Sequence, residues 1–236
     1  MGEFHVIAAN GGSMRGYFAL PQKPNGAGII LGIAIWGINS DMRAIADGYA
    51  DQGFAVVVPN LFWRKTDSDG ADYDPAKFET VVHLAVTGSD AESMDDMRRA
   101  KAELVRRTGC KKVAAIGWCY GGRIACLESV NTTYDLCVGI YPTYIDRHLG
   151  MAGRIVRPLI LNLAGNEKYT SFDDSIQRTV ATFAGDPLVR CYVYENAAHG
   201  FDFAPPHAAS NHFAARLCDI RTIMALDRVL VRGEAL

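Results

Sequence analysis

Cysteine, a carboxylate and histidine recur in this chain in an order that could break an acyl bond. Gly117-Trp118-Cys119-Tyr120-Gly121 follows the apolar run Val113 to Ile116 and precedes a helix-like segment, the pattern of a nucleophile elbow with cysteine in place of serine. At such an elbow the nucleophile sits on a tight strand-to-helix turn, where Gly117, Gly121 and Gly122 leave room that a β-carbon would fill. The following helix N-terminus favours a thiolate there. Downstream, the strand-like run 158–163 leads into Ala164-Gly165-Asn166-Glu167, and the run 189–194 leads into Glu195-Asn196-Ala197-Ala198-His199-Gly200-Phe201. An acid and then an imidazole, each just past a strand, complete the chain order nucleophile, acid, histidine of α/β-hydrolases.

Chemistry assigns the expected roles. Cys119 attacks an ester or lactone carbonyl, His199 handles the proton and later activates water, and Glu167 fixes the imidazole tautomer. The oxyanion needs aligned donors, expected from the backbone N–H of Tyr120 and of Ile35 or Trp36. Other histidines fit less well: His5 and His83 precede the elbow, while His207 and His212 fall at the start of the last helix. Asp173 and Asp174 compete with Glu167 as the acid, but they read better as residues opening a helix.

The elements that must position these groups alternate. Runs 5–9 and 14–20 form a hairpin across Asn10-Gly11-Gly12, and Gly28 to Ile35 is an unbroken apolar strand. A helix capped by Ser40 runs to about Gln52, followed by strand 55–58, and helices 75–86 and 90–107. After the elbow helix, to about Val130, come strand 136–141, strand 158–163, helix 173–184, strand 189–194 and a long helix from about His207 to Leu230. This order predicts an α/β fold with a mainly parallel central sheet covered by helices on both faces. Reactive residues then belong at the carboxyl ends of strands.

Composition narrows the function. The 236 residues are 49% hydrophobic with no linker-like stretch, which suits a single domain over 1–236. A net charge of −2 with mixed signs offers no footprint for nucleic acid, and no apolar run reaches the roughly 18 residues of a membrane span. The N-terminus lacks a secretory pattern, so a cytoplasmic protein is expected, monomeric or homodimeric. The scattered cysteines 110, 126, 137, 191 and 218 signal neither zinc nor disulfides, and the chemistry calls for no metal and no cofactor.

Four stretches make the chain resemble the dienelactone hydrolase family: Ile35-Trp36-Gly37-Ile38-Asn39, Val58-Pro59-Asn60-Leu61-Phe62, Ile116-Gly117-Trp118-Cys119-Tyr120-Gly121-Gly122 and Ala198-His199-Gly200-Phe201. The resemblance implies an α/β-hydrolase fold and a Cys-His-acid triad acting on a lactone or ester. It also exposes departures. Where the family has a glutamate two residues before Trp36, this chain has Ala34; the family's aspartate is matched by Glu167; and an arginine expected four residues after the histidine is Phe203. The segment 75–86, where another arginine is expected, holds none. Burying a substrate carboxylate without a cation is costly, so a less polar substrate is expected, against Trp36, Trp118, Phe201 and Phe203, with Arg64 or Lys65 as replacement cations. The alternative expectation is a hydrolase fold that has lost turnover and binds a ligand or responds to oxidation at Cys119.

Overall fold

The computed structural model describes every residue except 172 and 204–209. The chain forms two compact units, Met1–Ala115 and Ile116–Leu236.

In the first unit, β1 (Glu3–Ala9) and β2 (Gly12–Ala19) form the expected antiparallel hairpin, turned at Gly11 with φ 83°. β2 pairs antiparallel with β4 (Ala55–Pro59), which in turn runs parallel to β3 (Ala27–Gly32). The strand order is β1-β2-β4-β3. Every residue of β3 and β4 is buried, which is why both read as continuous apolar runs. Between them, α1 (Ser40–Asp51) is capped by Asn39, whose side chain accepts the Met42 N–H at 3.0 Å. The expected cap, Ser40, is already helical and gives its own N–H to Asp72. Asn39 wins because its backbone is extended, which aims its side chain back at the free N–H groups.

The segment 75–86 starts with a 3₁₀ turn, Pro75–Lys77, and continues as α2 (Phe78–Val86). α3 (Asp90–Thr108) is the long helix of this unit, with Ser89 capping it, acids in its first turn, Arg106 and Arg107 in its last, and Gly109 at φ 69° ending it. It lies tight on β3. A β-carbon on Gly28 would come within 2.8 Å of Cys110 Sγ and 3.0 Å of Leu104 Cδ2.

The segment 66–75, acidic and loop-like in sequence, is stitched to the chain after β3. Ile38 N–H bonds Asp69 O at 2.7 Å, Ala71 N–H bonds Trp36 O at 3.0 Å, and Gly37 and Gly70 pair as an antiparallel bridge. A β-carbon on Gly37 would meet Asp69 O at 2.6 Å, and one on Gly70 would meet Ile38 N at 2.5 Å. Only glycines let the two backbones approach this far.

β5 (Lys112–Trp118) runs from the first unit into the second along the chain. The second unit continues with α4 (Cys119–Leu127), extended by a 3₁₀ turn to Val130, then β6 (Leu136–Ile140), β7 (Leu159–Asn166), α5 (Ser175–Phe183), β8 (Val189–Ala198) and α6 (His212–Leu226). β6, β7 and β8 are parallel neighbours in that order. α6 begins later than the sequence suggests, at His212, where Asn211 caps it through the Ala214 N–H; it runs on as a π-helical segment to Arg232. His207 lies outside the described residues. Among the described residues no helix is long and apolar enough to cross a membrane.

Candidate active site

Cys119 is the first residue of α4 and holds φ 55°, the left-handed conformation that costs a non-glycine residue about 1–2 kcal/mol. Glycine is needed beside it: a β-carbon on Gly117 would sit 2.1 Å from Gly121 O, and one on Gly122 would sit 2.9 Å from Ile140 O. Local sequence therefore forces the sharp turn from β5 into α4. The thiol is buried, and the Cys119 carbonyl accepts the Thr143 N–H at 3.2 Å.

The ends of β7 and β8 bring the other two groups together. Their register shifts between Ala164 and Asn166, and the last pair is Asn166 with Ala198. The next residue on each strand is Glu167 and His199, so adjacent positions on parallel neighbours become adjacent side chains. Gly165 makes this possible, because a β-carbon there would lie 2.5 Å from Glu195 Cα. The strands are longer than their sequences suggest, by the residues that carry this irregular stretch.

Nδ1 of His199 lies 2.8 Å from Glu167 Oε2, and Glu167 Oε1 accepts the N–H groups of Lys168 and Tyr169, each at 2.9 Å. A carboxylate so held fixes which imidazole nitrogen carries the proton, leaving Nε2 for the other side. That Nε2 is buried with no hydrogen-bond partner, and the imidazole as a whole feels the charge of Cys119 more than that of Glu167. Burial alone lowers the basicity of His199; the negative charge and hydrogen bonding of Cys119, followed by those of Glu167, outweigh it and raise the pKa to about 10. Asp173 and Asp174 lie in a turn before α5, both exposed, and Asp174 makes no side-chain cap bond. His5 sits near Glu3, and His212 is exposed.

Two tyrosine rings flank the imidazole, those of Tyr141 and Tyr169, each 4.7 Å from it between centroids. Burial, then the charge of Cys119, raises the Tyr169 phenol. Tyr141 follows β6 with φ 34° and gives its hydroxyl proton to Asp202 Oδ1. Asp202 Oδ2 accepts Trp118 Nε1–H at 2.6 Å. Burial raises the Asp202 pKa, although the donors on it oppose that shift. Neither tyrosine nor Asp202 stands out in the sequence. The only available signal is the position of Tyr141 just past a strand and of Asp202 within the histidine loop.

Of the expected pocket aromatics, Trp118 and Phe201 are almost wholly buried, with Phe201 packed on Tyr141 and Tyr194. Phe203 is half-buried, 6.3 Å from the Tyr141 ring. In the first unit, Trp36 meets Tyr73 and Phe78. Ile35 and Trp36 form the turn closed by Gly37 N–H on Ala34 O at 3.1 Å. Arg64 is held in a two-point pair with the fully buried Asp96, at 2.5 and 3.1 Å, over the Trp63 ring, and Lys65 bonds Thr87. The structure therefore gives Arg64 a partner within its own unit, which argues against its reading as a replacement cation for substrate. No group of metal-ligating side chains occurs among the described residues.

The chain is 25% identical over 231 residues to a carboxymethylenebutenolidase of a Pseudomonas species, covering 95% of this chain and 94% of that one. A second carboxymethylenebutenolidase, from Pseudomonas putida, is 25% identical over 183 residues, 77% of each chain. Among solved structures, a dienelactone hydrolase-like promiscuous phosphotriesterase from metagenomic libraries superposes with a TM-score of 0.74 at 19% identity, covering 96% and 97% of the two chains. An α/β serine hydrolase homologue from Coxiella burnetii gives 0.63 at 16% identity, over 99% and 97%. These likenesses establish the α/β-hydrolase fold. The profile of the dienelactone hydrolase family matches residues 14–229, and the chain belongs to that family of lactone and ester hydrolases.

Proposed function

We propose that this protein hydrolyses a neutral carboxylic ester or lactone through a Cys119-His199-Glu167 triad and an acyl-enzyme. The observation that carries the reading is the 2.8 Å contact of His199 Nδ1 with Glu167, which leaves a buried Nε2 with no hydrogen-bond partner and open to the Cys119 thiol proton. The thiolate adds to the carbonyl carbon, forming an S–C bond as the carbonyl π electrons move to oxygen. As that intermediate collapses, the alkoxide leaves with a proton from imidazolium. Neutral His199 then takes a proton from water as the water oxygen attacks the thioester carbon; the S–C bond breaks, Cys119 is left as thiolate beside imidazolium, and the acid product is released. Tyr120 N–H and Ile35 N–H are the donors proposed for the oxyanion.

A neutral substrate is favoured because the chain has Phe203 at one arginine position of the family, and Arg64 is engaged with Asp96. A substrate carboxylate would also approach three acidic groups, Cys119 as thiolate, Glu167 and Asp202, with one imidazolium among them. The family match crosses the boundary between the two units, which supports reading 1–236 as one domain.

The test is hydrolysis of p-nitrophenyl acetate and butyrate beside cis- and trans-dienelactone, by wild type and Cys119→Ala. Turnover of the neutral esters that disappears in the variant is the expected result. Full retained activity in Cys119→Ala would remove the mechanism, and preferential turnover of dienelactone would remove the substrate assignment.

A further inference from the structure

Asp202 joins the surroundings of both reacting groups. Its two oxygens accept from Trp118, the residue before Cys119 at the end of β5, and from Tyr141, the residue after β6. It lies three residues after His199, in the loop that carries the imidazole. Tyr141 is held in turn by its N–H on Asn162 O at 2.8 Å, and its ring lies against His199. One carboxylate thus ties the nucleophile strand, the Tyr141 turn and the histidine loop into a single brace.

We infer that Asp202 is a positioning residue of this hydrolase, setting the His199 ring against Cys119 through its bonds to Trp118 and Tyr141. The inference rests on the proposed Cys119-His199 chemistry and goes beyond it, since no step needs Asp202 to touch substrate. Bracing alone does not explain the charge. A buried carboxylate is costly to desolvate, and a packed apolar residue would fill the same space at lower cost. What the charge adds is two acceptor oxygens for two donors, which an amide with its single acceptor oxygen cannot match. It also places a negative group where it feels the His199 charge. The left-handed Tyr141 fits the same account, because strain of that kind persists where the surroundings demand one geometry.

The experiment compares wild type with Asp202→Asn and Tyr141→Phe, reading the His199 ring-proton titration by NMR together with kcat, KM and Tm. In Asp202→Asn the His199 pKa falls by roughly half a unit or more, because a stabilising negative charge is gone. Its kcat for p-nitrophenyl acetate falls roughly 10- to 100-fold, as misplacement of reacting groups produces, with KM within about threefold of wild type. Tyr141→Phe keeps the charge and removes one bond, so its kcat falls while His199 titrates closer to wild type than it does in Asp202→Asn. An unchanged His199 titration in folded Asp202→Asn overturns the inference. Should wild type hydrolyse no ester at all, the proposed function fails, and the His199 titration alone still decides the role of Asp202.

Discussion

Glu167 and His199 meet at 2.8 Å because Asn166 and Ala198, the residues just before them, are paired across two parallel strands. The contact is therefore set by strand register, with the bulge at Gly165 as its adjusting element. This makes the acid and the imidazole sensitive to backbone changes that touch neither side chain.

Gly165→Ala tests that dependence. Its β-carbon would sit 2.5 Å from Glu195 Cα, so β7 must shift or straighten. The expected result is a loss of about 2–4 kcal/mol in urea denaturation. It is accompanied by a fall in kcat per folded molecule greater than the fall seen in Glu195→Ala.

Glu167→Gln removes the charge that orients and stabilises the imidazolium while keeping the shape. We expect kcat to fall about 10²- to 10⁴-fold in stopped-flow ester hydrolysis, with a small change in KM. A loss of less than threefold would point to another acid.

The raised pKa of His199 depends on Cys119 as well as on Glu167. In Cys119→Ala the sulfur's contribution is gone and burial, which opposes protonation, remains. The His199 ring protons in that variant then titrate well below pH 10, whereas beside the sulfur they are expected near it. NMR of the two proteins across pH 5–11 reads this directly.

The same shift carries a stability sign. A histidine whose folded pKa is about 10, against an unfolded value near 6.5, contributes stability that is complete below pH 6.5 and is lost as pH rises through 10. The difference in urea midpoint between wild type and His199→Gln is therefore largest at pH 6 and shrinks toward pH 10.5. A difference that grows over that window would contradict the assignment.

Arg64→Ala separates a structural arginine from a substrate-binding one. It leaves Asp96 buried and unpaired except for the Trp63 Nε1–H at 3.0 Å, a change that costs about 3–5 kcal/mol. The KM for neutral esters, measured on folded protein, stays at the wild-type value.

The chain's periodicity and punctuation disclosed most of the element order, because β3 and β4 are buried on both faces and α3 carries signals at both ends. The elbow was legible because its glycines are enforced by contacts within a few residues. What stayed hidden depends on partners far along the chain. The Asp202 contacts span 61 and 84 residues, and nothing beside Asp202 marks it as anything but a loop acid. Asn39 rather than Ser40 is the cap because its backbone is the extended one, while Ser40 is already helical and gives its N–H to Asp72, 32 residues away. Sequence shortens the ends of β7 and β8 because Gly165, Asn166 and Glu195 look like loop residues, although the bulge needs them.

The crossing of Gly37 and Gly70 gives the segment 68–72 a dynamic signature unlike that of a free surface loop. Its amide at Ala71 and the facing amide at Ile38 are each held across the same narrow contact. They can meet solvent only when both backbones part, so in deuterium they exchange at one shared rate, slower than surface exposure alone would suggest. The crossing also reaches the turn that holds Ile35 and Trp36, since the Ala71 amide is bonded to the Trp36 carbonyl.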